Sequence, residues 1–322
     1  MQTLVNKKKF GFRKGWKTKL FIFLSFLWPV IHLCVFWGYV NVGTLVNSFF
    51  RESLQGELVF DGIEAYRRVF RVLFRGEASG ITALGSFLNS LYLMLLALLI
   101  NLPITLAFSY AIYKKILFSP FWRVVLYLPC VVSLVILCLF FRIIFSGTAS
   151  FTSIFTILQK LGYSNEAVIR DGMFGSASTA WWGIIIFSVW TGVNGNIIYF
   201  SSAMARLPAE VLESARVDGA SEVRQFFSIV LPMIWGTVVT MSITLIGGSI
   251  AIFQPMQLIV GDDMAGGLGV GTIGWMIVQS VKSGGETIGF PAAVSVVVSV
   301  VGGLFVFGFK TLMEKAYKEV EY

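Results

Sequence analysis

Long, uninterrupted apolar stretches constrain this chain more than any other feature of its sequence. Each is at least as long as the roughly 20 residues that a helix needs to cross the hydrocarbon core of a bilayer. They occupy 20–42, 84–112, 121–145, 180–204, 232–260 and 288–311. Only 13% of the 322 residues are charged, whereas soluble domains carry about 25%. The sequence therefore predicts an all-α, polytopic membrane protein with about six transmembrane helices, and it excludes a water-soluble globule.

The distribution of Lys and Arg predicts the orientation of these helices. The basic residues before the first span are Lys7, Lys8, Lys9, Arg13, Lys14, Lys17 and Lys19. Because cytoplasmic segments of membrane proteins are enriched in Lys and Arg, this segment is predicted to be cytoplasmic. Six crossings then return the carboxyl terminus, with Lys310 and Lys315, to the same side. The loop after the first span also contains arginines, but we expect the amino-terminal cluster to dominate.

These predictions divide the chain into four segments. Residues 1–19 are a basic cytoplasmic amino terminus, and 20–82 comprise the first transmembrane helix and an external loop. Residues 83–312 are a core of five transmembrane helices with a cytoplasmic loop at 205–231, and 313–322 are a cytoplasmic tail.

Several kinds of chemistry find no support in the residue types present. Cys34, Cys130, Cys138 and the single histidine, His32, all lie in apolar stretches, so they indicate packing and not a metal or redox site. Cytoplasmic Lys and Arg explain the net charge of +8. No basic patch alternates with stacking aromatic residues, so no nucleic-acid partner is predicted. The sequence also lacks the G-x-x-x-x-G-K-[ST] phosphate loop, so no ATP site of that kind is predicted.

The most informative segment lies between the fourth and fifth predicted spans and reads LPAEVLESARVDGASEVRQFFSIVLP at 207–232. It predicts two short helices joined by a hinge. Pro208 suits the first helical position, where a missing N–H costs nothing, and Gly219 supplies the positive φ that ends such a helix. The apolar faces are formed by Val211, Leu212 and Ala215 in the first helix and by Val223, Phe226, Phe227 and Val230 in the second.

Acidic residues distinguish this segment from a helix that lies on lipid headgroups. Lys and Arg dominate the polar face of headgroup-binding helices, whereas here Glu210, Glu213, Asp218 and Glu222 interrupt the basic residues. A surface helix–turn–helix with a small residue at its centre is suited to docking in a groove of another protein. The segment therefore predicts a protein partner at this loop.

The same segment resembles the EAA loop of permease subunits of binding-protein-dependent ABC importers. The family pattern is close to IP-x-x-x-x-EAA-x-x-DGA-x-x-x-x-x-F-x-x-I-x-LP. The chain matches it at Leu207-Pro208, Glu213, Ala215, Asp218-Gly219-Ala220, Phe226 or Phe227, Ile229 and Leu231-Pro232. It departs from the pattern at Ser214, where alanine is usual. Weaker matches, FDGIEAYRRVF at 60–70, FLNSL at 87–91 and GFPAAVS at 289–295, resemble carbohydrate permeases of the maltose and glycerol-phosphate type.

The resemblance implies a fold and a set of partners. The fold would be that of a type I ABC importer permease, which pairs with a second permease to form the path for a carbohydrate such as an oligosaccharide. Two separate ATP-binding subunits or domains would hold ATP and Mg, and an external solute-binding protein would deliver the sugar. The chain itself would bind no cofactor and catalyse no reaction. It would lie among the lipids of a bacterial or archaeal cytoplasmic (inner) membrane, with both termini cytoplasmic.

The resemblance also implies roles for residues of the loop. The residues expected to couple the chain to the ATPase are Pro208, Glu213, Ser214, Ala215, Asp218, Gly219 and Ala220. Glu213 is expected to pair with a basic residue of the ATPase, Ala215 to allow close approach, and Gly219 to set the bend.

The expected substrate path rests on polar residues inside the spans, because such groups are costly in lipid and tend to face a cavity or a partner helix. In maltose-type permeases the sugar-lining positions sit in the fourth and fifth spans. The candidates here are Ser188, Trp190, Thr191, Gly192, Asn194, Asn196, Ser249, Phe253 and Gln254. Asn89 and Asn101 in the second span are weaker candidates. Ser, Thr and small residues also mediate ordinary helix packing, which is the alternative role for each of them.

Three other interpretations stay open at this point. A stand-alone secondary transporter or channel for a small polar solute is weakened because none of the six predicted spans contains Asp or Glu. A membrane-embedded enzyme is disfavoured by the single histidine. A non-transporting structural or sensor subunit is compatible with the composition alone.

Overall fold

The computed structural model describes residues 15–53, 56–75, 83–147, 153–162, 166–193, 195–282 and 288–316. Most of these residues are helical. Two short strands, β1 at Phe50–Glu52 and β2 at Leu58–Phe60, pair antiparallel. The predicted all-α class is thereby confirmed. Most of the predicted amino-terminal basic segment and the last residues of the predicted tail lie outside the described residues.

The described residues contain five helices that are long and apolar enough to cross a membrane, and a bent helix pair that makes a sixth crossing when it is counted as one span. In chain order the spans are Trp16–Asn47, Leu84–Tyr113, the pair Ser119–Val131 and Leu134–Ile144, Ala177–Met204, Trp235–Val260 and Gly289–Ala316. Each predicted apolar stretch therefore has a helical counterpart.

The third span, predicted at 121–145, contains a sharp bend. Its two halves meet at an angle of 100°. Pro129 has no N–H to donate to the helix, and Val132 and Ser133 that follow have ψ values of 140° and 135°, which are extended. The proline weakens the helix just before the break, as prolines do in helix interiors. The length of an apolar stretch does not record such a bend, and the bent pair still makes one crossing when it is counted as one span.

Shorter helices and π-helical segments complete the fold. The short helices are Glu64–Arg75, Ile154–Lys160, Glu166–Asp171, Ala209–Val217, Glu222–Gln225, Leu231–Met233, Asp262–Gly267 and Ile273–Lys282. The π-helical segments are Leu33–Gly38, Ala97–Asn101, Phe226–Val230 and Met256–Val260. A π-helical turn inserts an extra residue and is frequent at functional sites. The fourth span consists of the helices Ala177–Gly192 and Asn196–Met204.

The first span is exposed along its apolar stretch and is anchored to the bundle mainly near its end. Its last turns, Tyr39–Asn47, contact the sixth span, and the helix Glu64–Arg75 packs against the same span. The buried residues of that second contact are Ala65, Val69, Ala293 and Val294. The remaining surface of the first span is free to contact lipid or another chain.

Two large buried clusters hold the other spans together. One joins the third, fourth and fifth spans with the helix Ile273–Lys282 and contains Phe187. The other joins the second, fourth and fifth spans to the segment 207–232 and contains Phe200 and Leu212. The segment that sequence analysis singled out is therefore an integral part of the bundle and not a detached loop.

Side chains of the second span fix the chain between the fifth and sixth spans. Asn89 donates from Nδ2 to the carbonyl oxygens of Gly269 and Gly271, at 2.8 and 2.9 Å. The next residue, Ser90, accepts a hydrogen bond of 2.9 Å from the backbone N–H of Ile273. These bonds satisfy backbone groups that lie outside regular helical hydrogen bonding. The hydrocarbon of a bilayer cannot satisfy such groups.

We predict that Asn89→Ala lowers the free energy of unfolding by about 1–3 kcal/mol, because two carbonyl groups lose their donor. Leu88→Ala is the matched control, since Leu88 is 51% exposed on the neighbouring face of the same helix. Thermal unfolding of the purified protein in detergent would measure both variants. Equal melting temperatures for the two would contradict the structural role of Asn89.

Candidate functional site

The segment 207–232 forms a helical hairpin, as predicted, with its first helix at Ala209–Val217. Pro208 has φ −60° and ψ 124°, so it caps this helix from outside and does not occupy the first helical position. The first helical residue is therefore Ala209, one residue later than predicted, because the extended ψ of Pro208 places it before the helix. The Pro208 carbonyl still accepts from the N–H of Val211, at 3.3 Å.

Gly219 ends the first hairpin helix in the way that its sequence context predicts. Its φ is +77°, and no atom lies within 4 Å of the position that a Cβ would occupy. The N–H of Ala220 donates to the carbonyl of Ala215 at 2.9 Å, and that of Gly219 donates to Arg216 at 3.0 Å. These two bonds form a Schellman motif, which requires a left-handed residue at this position. Asp218, which immediately precedes Gly219, is the C-cap residue, and its backbone angles are no longer those of a helix.

The first hairpin helix has one buried and one exposed face. Leu212 and Ala215 are buried within the chain's own bundle, whereas Val211, predicted on the same face, is 37% exposed. Glu213 and Ser214 are exposed, and the Ser214 hydroxyl donates to the Val211 carbonyl at 3.0 Å. Within the described part of the chain Glu213 has no ion-pair partner. The small side chain of Ala215 thus serves internal packing, while Glu213 is presented outwards.

The second half of the hairpin departs from the predicted apolar face. Val223 and Phe227 are more than half exposed, while Phe226 and Val230 point inwards. The π-helical segment Phe226–Val230 adds one residue to a turn, and this shifts the register of the helix relative to a regular α-helix. A prediction from the regular helical period of 3.6 residues does not include such a shift.

Glu222 joins the hairpin to the second span, which sequence analysis did not predict. Its carboxylate lies 2.6 Å from the Nζ atom of Lys114. The hydrogen bond from Lys114, followed by one from Tyr110, holds the pKa of Glu222 below its ordinary value. The only sequence signal for Lys114 was its place among basic residues at a helix end, which indicates topology and not a partner.

The predicted substrate residues of the fourth span surround a break in its helix. This break is the junction between the helices Ala177–Gly192 and Asn196–Met204: Val193 and Gly195 keep helical backbone angles, and Asn194 lies outside the described residues. Asn196 starts the continuing helix and is half-buried. Asn101 of the second span donates from Nδ2 to the carbonyl of Ser188 at 3.2 Å. Helix 177–192 therefore ends against a polar group of the second span.

Two buried oxygen atoms at this break have no hydrogen-bond partner among the described residues. They are Asn101 Oδ1 and Ser188 Oγ. Thr105, one turn along the second span, bonds to the carbonyls of Asn101 and Val193 at 2.6 and 3.3 Å. An unpaired amide oxygen accepts a hydrogen bond, and a hydroxyl both donates and accepts. The break thus offers hydrogen-bonding capacity to water or to a polar solute.

Trp190 places an aromatic surface next to this break. It is 38% exposed, and its ring stacks on Phe141 with centroids 6.4 Å apart and an interplanar angle of 23°. Thr191, in contrast, turns its hydroxyl back to the Phe187 carbonyl at 2.8 Å. Trp190 is held by aromatic neighbours and keeps part of its ring accessible.

The predicted residues of the fifth span lie near a second break. Ile252 is extended, with ψ 126°, and ends the helix Trp235–Ala251. Phe253 packs against the buried aromatic cluster, and Gln254 is partly exposed. The Ser249 hydroxyl donates to the Leu245 carbonyl at 2.7 Å. Serine hydroxyls bonded in this way retain acceptor capacity.

The π-helical segment Ala97–Asn101 contacts both the fourth span at Ala177–Gly192 and the fifth span at Trp235–Ala251. Asn101, a weaker candidate on sequence, lies beside two fourth-span candidates, Ser188 and Gly192. Asn89, the other weaker candidate, is engaged in backbone contacts instead.

We predict a strong, non-additive interaction between Gly192 and Asn101. A Cβ at Gly192 would lie 2.1 Å from Asn101 Nδ2, so Gly192→Ala should expel the amide and lower the free energy of unfolding by about 1–3 kcal/mol. In an Asn101→Ala background the same change should cost much less, because the obstructing group is gone. A double-mutant cycle of thermal unfolding would measure this difference, and additive effects would contradict the contact.

The sequence of this chain matches a known protein family. Residues 100–319 match the family described as binding-protein-dependent transport system inner membrane component. The arabinooligosaccharides transport system permease protein AraP of Bacillus subtilis (strain 168) is 27% identical over 277 residues, which cover 84% of this chain and 82% of AraP. The sn-glycerol-3-phosphate transport system permease protein UgpA of Yersinia pseudotuberculosis is 36% identical over 77 residues, 24% of either chain.

Solved structures support the same fold. A chain of a bacterial ABC transporter involved in the import of the acidic polysaccharide alginate aligns with a TM-score of 0.74 at 17% identity, covering 93% of this chain and 96% of that one. In a bacterial alginate ABC transporter complexed with an alginate pentasaccharide-bound periplasmic protein, the aligned chain gives a TM-score of 0.76. Because the family match covers well over half of the sequence, the chain belongs to the binding-protein-dependent transport system inner membrane components.

Proposed function

We propose that this chain is the permease subunit of an ATP-driven carbohydrate importer and that the 207–232 hairpin couples it to the ATPase. It forms the translocation path with a second permease, and an extracytoplasmic binding protein delivers the sugar. The observation that carries the proposal is the two-faced hairpin: Leu212 and Ala215 fix it to the bundle, while Glu213 is exposed and has no ion-pair partner among the described residues. A carboxylate presented in this way is suited to a basic partner.

The energy source is assigned to other subunits. The sequence contains no phosphate-binding loop of the G-x-x-x-x-G-K-[ST] type. We therefore assign ATP and Mg to two ATP-binding subunits or domains, and no catalytic step or cofactor to this chain. Closure of the ATPase would displace the helix Ala209–Val217, whose Schellman turn at Gly219 keeps it at a fixed angle to the bundle.

A carbohydrate is the substrate class that best fits the break in the fourth span. Sugars present hydroxyl groups on their edges and C–H groups on their faces. The unpaired oxygens of Asn101 and Ser188 suit the hydroxyls, and the accessible ring of Trp190 suits the C–H face. AraP is named for arabinooligosaccharides. The aligned alginate transporter is described in complex with an alginate pentasaccharide-bound periplasmic protein. These names support an oligosaccharide as substrate.

The hairpin defines the proposed orientation in the membrane. Because the ATPase is cytosolic in such a transporter, the 207–232 hairpin faces the cytosol, together with both termini. The basic residues before the first span favour the same orientation. The membrane is accordingly the cytoplasmic (inner) membrane of a bacterium or archaeon.

We predict that Glu213→Gln weakens binding of the ATPase by about tenfold or more, as expected for loss of one close charge pair at an interface. Glu210→Gln removes an equal charge from the same exposed helix and is the control, because Glu210 lies a turn earlier. Retention of the ATPase by the tagged permease in detergent, titrated with salt, would measure both. A wild type that retains no ATPase would refute the proposed function. Equal retention by the two variants would refute only the role of Glu213.

We also predict that Gly219→Val lowers the amount of sugar transported per ATP hydrolysed without preventing membrane insertion. A left-handed φ of +77° costs a residue with a Cβ about 1–2 kcal/mol, and valine is among the least tolerant. Gly219→Asn should retain more coupling, because asparagine adopts this conformation more readily. Uptake of arabinooligosaccharides into vesicles, at matched expression, is the first assay. Equal uptake by the valine variant and the wild type would contradict the role of this turn.

A further inference from the structure

A cluster of polar side chains joins the 207–232 hairpin to the end of the second span. The Nζ atom of Lys114 lies 2.6 Å from Glu222 Oε2 and donates a hydrogen bond of 2.9 Å to Gln225 Oε1. Tyr110, one turn earlier in the second span, donates its hydroxyl hydrogen to Glu222 Oε2 at 2.9 Å. The last turn of the second span therefore holds two side chains of the hairpin at once.

Gln225 extends this cluster into the turn between the hairpin helices. Its Nε2 atom donates to the carbonyl of Ala220 at 2.7 Å, and only 1% of the residue is exposed. Arg216, in the last turn of the first hairpin helix, lies 3.5 Å from Glu222 Oε1. A continuous set of hydrogen bonds and ion pairs thus runs from Lys114 to the turn that orients the first hairpin helix.

Lys114 differs from an ordinary surface cation. Only 14% of its side chain is exposed, so removal of its carboxylate partner would leave a poorly solvated charge. Lys310 and Glu314, by comparison, form a pair in which both side chains are about half exposed, and such pairs contribute little. The hydrogen bonds from Lys114 and Tyr110 lower the pKa of Glu222, so pairing in the cluster favours the ionised carboxylate.

The second span connects this cluster to the polar break in the membrane core. Lys114 directly follows the last helical residue of the second span, and Asn101 lies on the same helix. At about 1.5 Å per residue, the two positions are roughly 20 Å apart along the helix axis. Asn101 bonds to the Ser188 carbonyl at the break of the fourth span. A displacement of the Lys114 end therefore has a direct helical route to the break.

We propose that Lys114, Glu222 and Gln225 are positioning residues that make the hairpin and the second span move as one body. Movement imposed on the hairpin by the ATPase then reaches Asn101 and the break of the fourth span. Without these bonds, the hairpin would contact the second span mainly through apolar groups, such as the Tyr110 and Phe226 rings, which have centroids 5.0 Å apart. Apolar contacts are non-directional and permit rotation. This inference rests on the proposed function, because it requires an ATPase at the hairpin.

The test uses the complete transporter in membranes and requires no knowledge of the sugar. Cys34, Cys130 and Cys138 are replaced by serine, and a reporter cysteine is placed by Ile198→Cys, at a position that is 38% exposed in the helix after the break. The rate of maleimide labelling of this cysteine is measured with and without ATP and vanadate, together with the amount of ATPase that co-purifies. ATP and vanadate should change the labelling rate in the otherwise unaltered transporter.

Lys114→Met should reduce this nucleotide-dependent change by at least about fivefold while the ATPase still co-purifies. Lys114→Arg should restore most of the change, and the exchanged pair Lys114→Glu with Glu222→Lys should exceed either single variant. Lys115→Met is the matched control, because Lys115 is the adjacent lysine and is exposed.

Three results would overturn the proposal. One is an unchanged nucleotide response in Lys114→Met, and another is an exchanged pair that is no better than its single variants. The third is loss of assembly in both Lys114→Met and the exchanged pair, which would assign these residues to folding alone. Failure of the proposed function has a different signature, namely that no ATPase co-purifies with the unaltered chain.

Discussion

The requirement that backbone polar groups be paired inside a hydrocarbon layer is the constraint on which the rest of this structure depends. Lipid offers no hydrogen bonds, so irregular backbone persists at this depth only where protein groups can satisfy it. The breaks in the fourth and fifth spans meet this condition through side chains. The pairs are Asn101 with Ser188 O, Thr105 with Val193 O, and Thr272 with Ile252 O. Polar residues that would be costly in an isolated span thus satisfy backbone carbonyl groups at both positions.

In the proposed importer, the 207–232 hairpin has to be fixed to the bundle and also be available to the ATPase. It meets both requirements with its two faces: Leu212 and Val230 enter a buried cluster, while Glu213 and Val217 are exposed. The Schellman turn at Gly219 holds the faces in register because its hydrogen bonds fix the angle between the helices. A loop held only by its ends could bind an ATPase, but it would transmit little of the ATPase's movement.

The second span links the hairpin to the membrane core. Its far end is packed by Lys114 against Glu222, its middle contains the π-helical segment that ends at Asn101, and its beginning holds the chain at Gly269 through Asn89. One helix therefore contacts the hairpin, the polar break and the segment before the sixth span. In the proposed importer, this helix connects the site of ATP-driven movement to the site of substrate passage, in addition to the fourth span, which continues directly into the hairpin.

Local properties of the sequence were sufficient for much of this description. The apolar stretches determined the spans, because crossing a bilayer depends on length and composition alone. Gly219 determined the end of the hairpin helix, because a left-handed residue is a local requirement. Only the tertiary structure decided the 100° bend of the third span, the partner of Lys114, and the position of Asn101 beside Ser188. Lys114 and Gln225 are 111 residues apart, and Asn101 and Ser188 are 87 apart. No periodicity records which side chains meet over such separations, because packing of whole spans brings them together.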